Sequence, residues 1–113
     1  MRPVSIGANP TANTLTTLYT VPKGYYASLI RLHASNATAS NKHLTFSWYD
    51  SSAAATYNLA FEYAVNSKNF LDLDSNSSAI AVLEENDTLS VTTEAGSTFA
   101  VAVTFEIEGN QRA

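Results

Sequence analysis

The sequence predicts an all-β fold: an antiparallel β-sandwich, jelly-roll-like, of about eight short strands. Three observations carry this expectation. Apolar residues recur at every second position, most clearly in "KHLTFSWYD" at 42–50 and "TFAVAVTFEIE" at 98–108. Turn-forming Gly, Pro, Asn, Asp and Ser interrupt the chain at short intervals. The helical period is missing: residues 53–64, the best helix candidate, carry their aromatic residues at period two.

The first fourteen residues, rich in Pro, Gly, Asn and Thr without a period, read as an extended or flexible N-terminal arm. Residues 15–109 form the β-sandwich domain, and 110–113 are a short C-terminal tail. The first strand, 15–21, ends where Val21-Pro22-Lys23-Gly24 fits a β-turn with Pro second and Gly fourth. The next strand, 25–35, is apolar on both faces. Its phase directs Ile30 and Leu32 inward and leaves an apolar outer patch around Tyr25 and Leu29. Tyr25, Tyr26 and Leu29 are therefore the candidate protein–protein interface, covered either by the arm or by a neighbouring subunit.

In 42–50, Leu44, Phe46 and Trp48 share one face, and His43, Thr45, Ser47 and Tyr49 the other. Strand 56–65 repeats the alternation with Tyr57, Leu59, Phe61 and Tyr63. Short strands follow at 70–74 and within 79–87, which closes in an acidic turn. Strand 88–94 then pairs through Ala95-Gly96-Ser97 with 98–108. The expected core is Ile30, Leu32, Leu44, Phe46, Trp48, Leu89, Val91, Phe99, Val101, Val103 and Phe105.

At 113 residues the chain is long enough for one core. Charged residues make up 14%, against roughly 25% in a typical soluble domain, so Ser, Thr, Asn and Ala must fill much of the surface. Such a surface suits a protein packed against neighbours. The net charge of −4 and six scattered Lys and Arg residues give no basic footprint, so nucleic acid is not an expected partner. No apolar run approaches the roughly 20 residues of a membrane span. The N-terminus lacks the apolar segment of a signal peptide, so the expectation is synthesis and retention in a cytoplasm.

Without cysteine there is no disulfide framework, thiolate nucleophile or thiolate zinc site. His33 and His43 stand without ligand partners at useful spacing, and no Gly-x-Ser-x-Gly elbow occurs. "DLDSN" at 72–76 begins like a calcium loop but has Ser77 and Leu83 where that loop needs Gly and Glu. Glu84, Glu85 and Asp87 share one turn, and Glu106 and Glu108 one strand face, so no carboxylates oppose each other across a cleft. The expectation is no enzyme, no cofactor and no metal. Tyr25, Tyr26, Trp48, Tyr49, Tyr57 and Tyr63 could instead stack on sugars, which keeps a carbohydrate-binding module as an alternative.

Two segments, "TLYTVPKGYYASLIRLHASNATA" at 17–39 and "VLEENDTLSVTTEAGSTFAVAVTFEIEG" at 82–109, resemble small virion proteins of tailed bacteriophages. In those proteins a strand ending in Tyr-Thr-Val-Pro-x-Gly precedes a strand with an Asn-rich loop. An acidic turn-strand and a Val-rich hairpin come later. The resemblance spans roughly 15–109. It implies a virion structural subunit assembled in the bacterial host cytoplasm, either a capsid decoration (cement) protein or a tail- or neck-associated one. Its implied partners are further copies of itself, a homotrimer being favoured, together with the major capsid protein or tail and neck proteins.

Overall fold

The computed structural model of the chain describes residues 2–74 and 79–109. Nine strands follow one another without a helix among the described residues: β1 (Arg2–Ala8), β2 (Thr16–Thr20), β3 (Tyr25–Asn36), β4 (Lys42–Asp50), β5 (Ala55–Val65), β6 (Phe70–Asp74), β7 (Ala81–Leu83), β8 (Thr88–Thr93) and β9 (Phe99–Gly109). One sheet runs β1-β9-β3-β6, with β7 also on β3; the other runs β2-β8-β4-β5. All pairings are antiparallel. The chain thus passes back and forth between the sheets, staying in one only for β4–β5 and β6–β7, with the first strand beside the last and the second beside the second-last. That wrapping is the jelly roll.

The core lies between the sheets. β9 supplies Phe99, Val101, Val103, Phe105 and Ile107 on one face, and β4 and β8 answer with Leu44, Phe46, Leu89 and Val91, all buried. Nine of the eleven residues expected in the core are there. Ile30 and Trp48 are only half-buried, while Val21, Ala27, Leu29, Ala34, Leu71 and Leu83 join the core.

The segment expected as an arm is a strand of the sandwich. β1 pairs with β9 from Arg2↔Ile107 to Ala8↔Val101, and Val4, Ile6 and Ala8 pack on the core. Pro3, which cannot donate to a ladder, is tolerated because β1 is an edge strand. The sandwich therefore begins at residue 2 and not at residue 15. The tail at 110–113 and residues 75–78, which include the end of "DLDSN", lie outside the described residues.

Two buried polar side chains tie the loops down. Asn36, 2% exposed, donates through Nδ2 to the carbonyls of Ser40, Val65 and Asn66, while its Oδ1 accepts from the Thr38 amide. The carboxylate of Asp87, 1% exposed, accepts from the Ser51 amide and hydroxyl, the Glu84 amide and the Trp48 indole. Each is buried because every lone pair or N–H that counts has a partner.

Candidate interaction surface

The two-sided apolarity of β3 has a local cause. Leu29 pairs with Phe105 and Arg31 with Thr104, so two steps along β3 match one along β9 and Ile30 is the extra residue of a β-bulge. The bulge reverses the phase of the strand. Leu29 and Leu32, three apart, both point inward, and both are fully buried. Leu29 is therefore not part of any surface patch, and the interface expected around it is corrected accordingly.

Tyr25 and Tyr26 remain on the surface, 40% and 39% exposed. They sit where the turn after β2 feeds β3, opposite Gly109 and Glu108 of β9, and the Tyr25 amide donates to the Pro22 carbonyl across that turn. The Glu108 carboxylate beside Tyr26, by its charge and by accepting a hydrogen bond, holds the phenol above its usual pKa. Val82 of β7 pairs with Ser28, two residues after Tyr26, and so shares its outer face; it is also exposed. Tyr26 and Val82 thus form the outer patch, and Tyr25, on the opposite face at the start of β3, is exposed at the rim of the sandwich.

A second apolar area lies on the other sheet. β5 is an edge strand, and its pairing with β4 slips twice: Leu44↔Tyr63, Phe46↔Ala60, Ser47↔Asn58. Each slip inserts one residue, and Glu62 takes a left-handed backbone with φ 47°, its amide donating to the Thr45 hydroxyl. Tyr57 and Tyr63, opposite Trp48 and Leu44, face the side of the core yet overhang it, and Phe61 is 65% exposed. Trp48 packs its ring at 5.3 Å against Tyr57. The six residues weighed as a sugar platform consequently fall into two groups on different sheets. No single platform forms from them.

The titratable groups are paired locally. Asp72 takes the Arg31 guanidinium on both carboxylate oxygens at 2.9 Å, and that bonding holds its carboxyl below the usual range. His33 lies 3.8 Å from Asp72, and His43 lies 3.6 Å from Glu94, which also meets Lys42 at 3.8 Å. Among the described residues no three His, Asp or Glu side chains converge on a point where a metal could sit, and no helix is long and apolar enough to cross a membrane.

Several exposed apolar residues were not legible as surface in the sequence. Phe61, Phe70, Val82 and Leu15 are 65%, 53%, 47% and 65% exposed. The first three lie in strands, and Phe61 sits in edge strand β5 at one of its register slips.

No protein-family profile matches the chain, and no curated protein matches it. Solved structures do. A chain of the disulfide-linked pili that Bacillus endospore appendages form superposes with a TM-score of 0.53 at 16% identity, covering 95% of this chain and 84% of that one. The globular domain of the zebrafish complement 1qA protein superposes with a TM-score of 0.48 at 16% identity over the full length of both. The likeness to the pilus chain is one of fold. The disulfide linkage is not shared, because this chain has no cysteine.

Proposed function

We propose that the protein is a non-enzymatic structural subunit of a tailed-bacteriophage particle, a capsid decoration protein that binds the assembled capsid and stabilises it. The observation that carries this reading is the exposed apolar surface of the sandwich: Tyr25, Tyr26 and Val82 on one sheet, and Tyr57, Phe61 and Tyr63 at the edge of the other. Tyr and Phe so placed supply large contact area when two proteins meet, with a polar rim available on the Tyr hydroxyls. The phage assignment rests on the resemblance of residues 17–39 and 82–109. The likeness of fold to a pilus chain is compatible with an assembly role and adds nothing about phages.

In this reading the subunit associates with itself as a symmetric homo-oligomer, a trimer, and contacts the major capsid protein in a virion built in the host cytoplasm. The trimer is argued by analogy with decoration proteins at threefold positions. Clamping needs no chemistry: contacts to two neighbouring capsid subunits reinforce each other through effective concentration. The test is mass spectrometry and cryo-EM of purified particles. The chain should be present in a copy number matching capsid symmetry, and its removal should lower the temperature at which capsids rupture. A copy number of only a few per particle would move the protein to the tail or neck, and absence from particles would end the virion reading.

A further inference from the structure

At the end of the sandwich opposite Tyr25, the outer face of the larger sheet carries a cleft of about 570 Å³. It lies where the end of β3 meets the turn between β5 and β6. The floor is firm. The Asn36 amide donates to the Asn69 carbonyl and the Lys68 amide to the Asn36 carbonyl, so the turn is stitched to β3 beyond the last pair of β6. The buried Asn36 side chain fixes the same corner through the Ser40, Val65 and Asn66 carbonyls.

The walls differ in chemistry. Phe70, 53% exposed, leans against His33 with ring centroids 5.3 Å apart and leaves an aromatic face to solvent. Lys68 also lines the cleft; its backbone is held left-handed at φ 59°, and it makes no ion pair among the described residues. The neighbouring acid, Asp72, is already taken by Arg31. His33 Nδ1 is shielded from solvent and lacks a hydrogen-bond partner. On a chain of net charge −4, this cleft thus pairs an uncompensated cation with an exposed aromatic ring and polar Ser35 and Asn69.

We propose that this cleft binds an acidic saccharide, the carboxylate of a uronic-acid-type ring on Lys68 and its C–H face on Phe70. Its size falls within the range of small-ligand sites, and a shallow cleft with one ring and a few polar groups suits a pyranose. A free carboxylate alone would leave the Phe70 face unused. A neutral sugar would leave Lys68 unused. The site goes beyond the virion reading and does not depend on it, since it belongs to the isolated subunit.

The test is an ¹⁵N-HSQC titration of the full chain at fixed ionic strength with methyl β-D-glucuronide, methyl β-D-glucoside and sodium acetate. The glucuronide should give saturable shifts in the amides of Ser35, Ala37, Asn69 and Phe70, with an affinity roughly two- to fivefold above either control, the factor expected of one exposed charge contact. Lys68→Asn keeps a residue that accepts the left-handed backbone and should erase the preference over the glucoside. Phe70→Ala, at an exposed position, should weaken glucuronide and glucoside together. Three outcomes would overturn the proposal: no saturable shifts at the cleft, acetate matching the glucuronide, or both variants binding like the parent.

Discussion

Asp87 shows how much one side chain can decide in a fold this small. Burial alone pushes its pKa up, but hydrogen bonds from the Ser51 and Glu84 amides, the Trp48 indole and the Ser51 hydroxyl outweigh that and hold it below the usual carboxylate range. A carboxyl with a depressed folded-state pKa contributes stability that is fully present above its unfolded value of about 3.9 and is lost as pH falls through the folded pKa. Asp87→Asn should therefore cost about 2 kcal/mol at pH 7, because an amide cannot accept on both sides and leaves donors unpaired. The gap in Tm between parent and variant, followed by circular dichroism, should narrow as pH is lowered below about 4. A gap independent of pH would mean that packing, and not charge, is what Asp87 supplies.

Among the elements, β3 and β1 divide what the sequence discloses from what it hides. Strands β4, β6, β8 and β9 were legible because their inner residues alternate without a break. The jelly-roll class follows from them and from the turns between. The phase of β3 was not legible. Nothing in "YYASLIRLH" marks Ile30 as a bulge, and a shift of one residue exchanges the two faces. Leu29 was consequently read as outside and Ile30 as inside. Substituting Leu29 with Ala should cost about 3 kcal/mol in urea unfolding, whereas Tyr25→Ser should stay within about 0.5 kcal/mol. β1 was hidden because Pro3 and Gly7 break the apolar signal down to Val4 and Ile6. Removing residues 1–8 would uncover one side of β9 and forfeit the half-burial of those two side chains. At about 1 kcal/mol each and 4–8 °C per kcal/mol, the melting temperature should drop by roughly 10 °C. An unchanged Tm would restore the picture of a dispensable arm. The cleft around Lys68 was equally hidden, since it joins residues 33–37 to 68–70 and only the pairing of β3 with β6 brings these together.

For the whole molecule, the two exposed aromatic areas are where the proposed self-association can be tested. On the proposal that the subunit self-associates, replacing Tyr25 and Tyr26 together with Ser should leave unfolding of the isolated domain nearly unchanged but lower the mass found by light scattering from that of the proposed oligomer to that of a monomer. A parent protein that is strictly monomeric, free and on particles, would remove the basis for self-association. Val103→Asp makes the complementary case, placing a charge where the side chain is fully buried and surrounded by Leu32, Ile6 and other apolar neighbours. Such a charge has no partner and should abolish the cooperative fold.

The position of β9 bears on how the molecule is made. It lies between β1 and β3 and pairs with both, so the two strands are joined into one sheet only through it. During synthesis, β1 to β8 leave the ribosome first, and through that interval Val4, Ile6, Leu29 and Leu32 lack the strand they pack beside. The larger sheet must therefore close after β9 has emerged, in one step that joins residues about a hundred positions apart along the chain. Long-range closure of this kind is slow, on the order of milliseconds to seconds. A nascent chain stalled before residue 99 should remain sensitive to protease along its whole length, and become resistant only when β9 is released.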